Sequence, residues 1–300
     1  MARLAILLSL ITTHNDYQRE QAAVAQQMAG RLGIDLRVIY AEGDSVLQAT
    51  QILEALQAPV EERPCAVVLE PAGASMTQIA RRAVQHDVGW VVVNRAVDAY
   101  DDLRGRGTAP VGAVVLDNVE VGRLQGAQFA ALLPEGGKVL YLEGPATELS
   151  RQRRAGVVET LPANIELQSA RGRWTEESGA QAVSQRLALA STRVPDLVGS
   201  QNDAMAMGAR RAVEALPPGP ARDRWLAIPY TGVDGVPSTG QAWVKQGQLT
   251  ATIISPPLAG LALELVVKAR SGTQPMPEVT SVLPVAFPPV PELRPMTGRR

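Results

Sequence analysis

The chain has 300 residues, 46% of them apolar and 20% charged, and a net charge of −1. That length supports two compact lobes or one large α/β domain with an ample core. The balanced charge, with no long Lys/Arg run, leaves no electrostatic footprint for nucleic acid or for an anionic membrane, and the single cysteine, Cys65, excludes an internal disulfide.

No apolar run approaches the roughly 20 residues a membrane-spanning helix needs. Arg3 and the apolar residues 4–11 mimic the start of a signal peptide. The following Thr12-Thr13-His14-Asn15-Asp16 lacks a small-x-small cleavage site, so 4–11 reads as a first buried strand. The expected location is cytoplasmic if Met1 is the native start, and periplasmic if a leader has been removed.

In chain order, further strands fit 36–40, 66–69, 88–93 and 113–116. All are rich in Val, Ile and Leu without clean polar alternation, as parallel strands buried on both faces are. Helical patterns over 17–32, 46–56 and 76–85 lie between them, the first stopped by Gly33. The charged, glycine-containing segment 99–110 reads as a mobile loop, and Cys65, just before an apolar strand, as a buried structural thiol. The rhythm then restarts, with helix 119–133, strand 139–142, helix 151–161, strand 166–170, helix 176–189 and strand 197–198. A helix after Asp203 is stopped by Pro217-Pro218, and strands at 226–228 and 251–254, a helix at 258–269 and an extended 281–287 complete the pattern. The proline-rich 288–300 reads as a flexible tail. This βαβ alternation, given twice, predicts an α/β fold of two Rossmann-like, doubly wound parallel-sheet lobes.

In such sheets, ligands bind at the carboxyl ends of the strands. The residues that follow the strands here are Asn15, Tyr17 and Gln18; then Asn94 and Arg95; then Arg151; then Trp174; and finally Asn202, Asp234 and Ser255. Asp203 reads as the cap of its helix, leaving Asn202 outside it and free to face a ligand. Amides, guanidinium groups, a carboxylate and a hydroxyl suit a neutral polyhydroxyl ligand, and aromatic faces pack against the C–H face of a sugar ring. Taken singly, Arg95 reads equally well as a surface charge, Trp174 as packing at a helix start and Tyr17 as a hydrophobic staple. Arg153 and Arg154 read as solvated helix charges.

The order and spacing of 94-NR-95, 117-DNVEVGRLQG-126, 138-KVLYLEG-144, 151-RQRRAG-156, 201-QNDAMAMGA-209, 232-GVDG-235 and 249-LTATI-253 resemble the type I periplasmic sugar-binding proteins. The likeness is to their ribose/galactose-binding branch, which is also the ligand-binding core of LacI-type repressors. The resemblance spans about residues 4–287. It implies two lobes, 1–116 with 256–282 and 117–255 with 283–300, joined by three crossover segments and closing on one small ligand. It puts Asn15 and Tyr17 in the first ligand loop, Asn94 and Arg95 at the family's Asp-Arg pair, Arg151 at its second arginine and Trp174 at its second aromatic. Asn202 and Asp234 take the places of its amide and carboxylate. Three positions depart from the pattern: Gln18 stands for a stacking aromatic, Asn94 for a carboxylate and Ser255 for a longer amide, which weighs against ribose itself.

The implied function is a receptor or sensor for a monosaccharide or polyol. Its partner is an ABC permease if the protein is exported, or a signalling protein if it is cytoplasmic. With strand one beginning at residue 4 there is no N-terminal helix-turn-helix, so no nucleic-acid partner is expected, nor membrane insertion. His14, His86 and Cys65 form no nucleophile–base or metal-ligand spacing, and no Walker-type or GxGxxG loop occurs. The expectation is therefore a protein without cofactor, metal or catalysis. Glycoside hydrolysis in particular needs two carboxylates at one ring, and Asp234 alone is a candidate.

Overall fold

The structure, a computed structural model, describes residues 3–73, 76–188 and 194–295. The first stretch of the chain alternates regularly: β1 (Ala5–Leu10), α1 (Asp16–Leu32), β2 (Asp35–Tyr40), α2 (Ser45–Gln57), β3 (Ala66–Leu69), α3 (Thr77–Gln85), β4 (Gly89–Val93), α4 (Tyr100–Arg104) and β5 (Val111–Leu116). The alternation then repeats: α5 (Asn118–Leu132), β6 (Gly137–Glu143), α6 (Glu148–Thr160), β7 (Ile165–Arg171), α7 (Glu176–Leu187), β8 (Leu197–Ser200) and α8 (Asp203–Glu214). The remainder holds α9 (Pro220–Leu226), β9 (Tyr230–Thr231), α10 (Gly240–Lys245), β10 (Thr252–Ile254), α11 (Ala259–Arg270), β11 (Val279–Val282) and β12 (Val285–Phe287).

The chain divides into two compact units, residues 1–116 with 257–282 and residues 117–256 with 283–300. It passes from one to the other three times, after Leu116, Pro256 and Val282. The first unit is a six-stranded parallel sheet in the order β11-β5-β4-β3-β1-β2. Its central strands are apolar on both faces: every side chain of β3 and β4 is buried, as the unbroken runs of Val and Leu require. The second unit carries a four-stranded parallel sheet, β7-β6-β8-β9, beside an antiparallel pair, β10-β12. One cluster of its core gathers Leu140, Val198, Met205 and Trp225. Another gathers Phe129, Val139, Tyr141 and Leu197.

Six of the described helices start where a short polar side chain accepts a backbone N–H. Asn15, Asp44, Asp117, Thr147, Thr175 and Asn202 do this for α1, α2, α5, α6, α7 and α8. Each such cap contributes about 1 kcal/mol. Helices α5 and α6 touch backbone to backbone. A Cβ on Gly122 would lie 2.0 Å from the Arg153 carbonyl oxygen, and one on Gly156 would lie 2.0 Å from that of Val119. Neither position can accept a side chain, so this pair fixes how closely α6 lies against α5.

Several sequence expectations are corrected here. The apolar run 226–228 is not a strand. Pro220 at the first helical position nucleates α9, Trp225 buries its ring from that helix, and the strand comes later at β9. A run this short carries no readable period. Segment 99–110 holds α4 and a fully buried Leu103. The extended 281–287 is two strands in two sheets, because β11 extends the first unit beside β5 while β12 pairs with β10. The proline-rich tail forms a 3-10 turn over Val290–Glu292 and buries Leu293 beside Phe129. Residues 296–300 of that tail, and Leu189 at the end of the helix expected over 176–189, lie outside the described residues. Among the described residues no helix is long and apolar enough to cross a membrane.

Candidate functional site

In the first unit the adjacent strands β1, β3 and β4 end together, and the residue between their ends is Glu70. Its backbone N–H still donates to the Ser9 carbonyl at 2.9 Å, so the ladder holds it in line with β3. Its carboxylate is buried, with 9% exposure. Oε2 accepts the Gln18 side-chain N–H at 2.7 Å and Oε1 accepts that of Asn94 at 2.9 Å. Burial pushes the Glu70 carboxyl above its ordinary pKa, and the two amide donors oppose that shift. Gln18 is itself clamped, since its Oε1 accepts the Ile11 N–H at 2.9 Å. Buried Gln48 braces the same corner, donating to Ser9 Oγ and the Glu70 carbonyl and accepting from Ala72 N–H. Asn94 lies in the left-handed region at φ 65°, which asparagine tolerates better than most side chains.

Of the residues expected in this half, Asn15, Gln18 and Asn94 meet around that network. Asn15 caps α1 and its Oδ1 accepts the Gln18 backbone N–H at 3.1 Å. Tyr17 is buried, with its hydroxyl accepting from Gln21 at 3.3 Å, so its ring is core at the helix start. Arg95 turns onto its own loop, donating to the Gly73 carbonyl at 3.1 Å and to Asp98.

The second unit centres on a cation. Arg153 of α6 is 5% exposed. Its Nε donates to Asn118 Oδ1 at 3.0 Å and its Nη1 to the Gln201 carbonyl. Its guanidinium lies 5.7 Å from the centroid of the Trp174 ring, a cation–π arrangement. Trp174 sits in the turn after β7 at φ 66°, and its ring rests on Gly144, where a Cβ would come within 2.1 Å. Buried Gln201 holds that glycine loop, accepting the Gly144 N–H at 2.9 Å and donating to the Ser150 carbonyl at 3.0 Å.

Asn202, and not Asp203, caps α8: its Oδ1 accepts the Met205 N–H at 3.0 Å while its Nδ2 donates to the Trp174 carbonyl at 3.0 Å. The expectation that Asn202 stands outside the helix is thereby corrected. Asp203 turns inward instead. Its carboxylate accepts the Gly235 N–H at 2.8 Å and the Thr252 hydroxyl at 2.7 Å, which ties down the 232–235 turn. Asp234 sits in that turn, half-buried at φ 108°, and its backbone pairs with Ile253 and Ser255. Ser255 is buried, and its Oγ has no hydrogen-bond partner among the described residues.

Arg151 lies elsewhere. Its side chain is 65% exposed and bonds Glu148 through Nε and Nη2 at 3.0 and 2.7 Å. The reading of Arg153 and Arg154 as solvated charges is also corrected. Arg153 is buried, and Arg154 donates to the buried Glu143 and to Ser169, each at 2.6 Å. Three residues that organise these faces, Glu70, Arg153 and Gln201, are absent from the sequence-derived set. Two of them had a legible signal. Glu70 is a lone acidic residue directly after an all-apolar strand, and Arg153 falls at helical spacing with Ser150, Gly156 and Val157, all buried.

The family model described as periplasmic binding protein domain matches residues 6–274. Among curated relatives, the ribose import binding protein RbsB of Salmonella typhimurium is 27% identical over 263 residues, covering 86% of this chain and 81% of that protein. Its counterpart in Haemophilus influenzae is 28% identical over 264 residues, covering 85% and 81%. Among solved structures, a periplasmic solute-binding protein of an ABC transporter from Actinobacillus succinogenes, with bound D-allose, superposes with a TM-score of 0.80. It is 23% identical, over 95% of this chain and 97% of that one. The Caulobacter myo-inositol binding protein gives 0.75 at 22% identity, over 95% and 93%.

Proposed function

The chain belongs to the periplasmic binding protein family, and from that premise we propose that it is a solute receptor for a monosaccharide or related polyol. The observation that carries this reading is the pair of buried, oppositely charged groups at the strand ends. Glu70 is held by two amides in one unit, and Arg153 is held over an indole ring in the other. A charged group bonded to a ligand hydroxyl contributes about 1.5–3 kcal/mol, and an aromatic face suits the apolar side of a sugar ring. Ser255 Oγ, buried without a partner among the described residues, offers a further hydroxyl to a ligand.

On this reading the first unit offers a ligand Asn15, Glu70, Asn94 and Arg95, and the second offers it Arg153, Trp174, Asp234 and Ser255. Tyr17, Gln18 and Asn202 position the others, since their polar atoms already serve the protein. Arg153 takes the role that the sequence resemblance gave to Arg151. The protein binds without turnover and hands its ligand to an ABC permease, in keeping with the relatives named for ribose import. Much of the gross interaction offsets desolvation and lost freedom, so micromolar affinity, about −8 kcal/mol, is expected.

The test is calorimetry against a panel of pentoses, hexoses, cyclitols and sugar acids, repeated with Asp234→Ala. Saturable binding of one member, lost in the variant, is the expected result. Silence from the whole panel, or unchanged affinity in Asp234→Ala, overturns the proposal.

A further inference from the structure

A groove of about 400 Å³ opens on the second unit between the first turns of α6 and the end of β7. Its volume falls in the range of about 300–1,000 Å³ typical of ligand sites. It is lined by Glu143, Ser150, Arg151, Arg154, Ser169 and Arg171, with two alanines between them. None of the residues assigned above to sugar contact lines it.

The sequence explains how these groups meet. Ser150 and Arg154 are four apart on α6, and Arg151 is one turn along the same side. Ser169 and Arg171 are two apart on β7 and so share a face. β7 is the edge strand of its sheet, which leaves the groove open to solvent.

The three guanidinium groups are in three different states. Arg154 is locked: the buried carboxylate of Glu143 and the hydroxyl of Ser169 each take a bond at 2.6 Å. Arg151 is held at the rim by Glu148, a pair exposed on both sides and therefore weak. Arg171 is exposed and has no hydrogen-bond or ion-pair partner among the described residues. Glu143 is the one carboxylate in the lining, so the groove carries an excess of positive charge. A preorganised guanidinium, an unpartnered one and a serine hydroxyl form a donor set matched to a tetrahedral oxyanion, which arginine binds with two parallel N–H bonds.

We propose that this groove is a second ligand site, separate from the sugar-binding faces, that binds the phosphoryl group of a small molecule. The site rests on groups within one unit and does not depend on the sugar reading. A sugar panel that fails leaves it standing, and its own failure leaves the sugar reading standing.

The experiment is calorimetry of the full chain with inorganic phosphate and with glucose 6-phosphate at fixed ionic strength, for wild type and for Arg171→Glu. Arg171 is exposed and unpaired, so the substitution leaves the fold intact, which circular dichroism verifies. Saturable binding that falls at least about tenfold in Arg171→Glu is expected, since a donor to the phosphoryl oxygens becomes a repulsive charge. Tighter binding of glucose 6-phosphate than of phosphate, with both weakened in Arg171→Glu, identifies an organic phosphoester. Equal binding identifies the free ion, and both outcomes support the site. Absence of binding by either probe overturns the proposal, as does binding that added salt weakens equally in wild type and variant.

Discussion

The strand-end faces of the two units solve one problem with opposite charges. In the first, a carboxylate is buried at the end of β3 and amides from two neighbouring strand ends support it. In the second, a guanidinium reaches down from α6 onto a carbonyl and an indole ring. A buried charge costs several kcal/mol unless hydrogen-bonded, and both units meet that cost with neutral dipoles. The two faces also differ in how the polar group arrives. Glu70 is delivered by the strand itself, so its place follows from the ladder. Arg153 is delivered by a helix whose distance from α5 is set by the glycine contacts at Gly122 and Gly156. The first face is a property of strand order; the second depends on close packing between helices.

Breaking the second face has the largest expected effect. Arg153→Ala removes a buried side chain and strands the Asn118 and Gln201 oxygens that it serves. Urea unfolding should show a loss of about 2–4 kcal/mol, together with loss of sugar binding. A cost below about 0.5 kcal/mol would mean that Arg153 is solvated after all.

The first face is broken through pH. The native Glu70 carboxyl holds its proton to higher pH than the unfolded chain does, because burial raises its pKa. Between the two values the native state binds more protons, so this contribution to stability is full below the unfolded pKa and is lost as pH rises through the folded one. In Glu70→Gln that part of the slope should vanish from a series of melting curves across the acid-to-neutral range. An unchanged slope would show that Glu70 ionises normally.

A smaller effect is expected from Trp174→Ala. It removes the indole under Arg153 and should weaken sugar binding by about 1 kcal/mol or more in calorimetry. The smallest effect is expected from Arg151→Ala. The Arg151–Glu148 pair is exposed, so stability should change by less than about 0.5 kcal/mol and sugar affinity should stay at the wild-type value. Loss of binding in that variant would return the role to Arg151.

Much of the fold is visible in the chain. The strands expected at 66–69 and 139–142 lie at β3 and within β6, because unbroken Val/Leu runs bounded by polar turns have little alternative to a parallel, doubly buried strand. The failures sit where local pattern and packing part company. The run at 226–228 is too short to show a period, and neighbouring Pro220 and Trp225 decide for a helix. Residues 281–287 look like one extended piece, yet two sheets share them. The site shows the same division. Asn15, Gln18 and Asn94 could be picked out by their position after a strand. That Gln18 and Asn94 converge on Glu70 could not, because strand order brings their loops together.

Local signals along the chain set the layers. The period of its apolar residues, the polar caps that open six of the helices and the prolines and glycines that close segments are local signals, and each acts within a few residues of itself. Which charges are buried follows from packing between segments distant in the chain. Arg151 and Arg153 are two residues apart on one helix and chemically identical. Helix geometry sends one toward Trp174 and the other to Glu148 in the solvent, and the packing of α5 against α6 determines which is which.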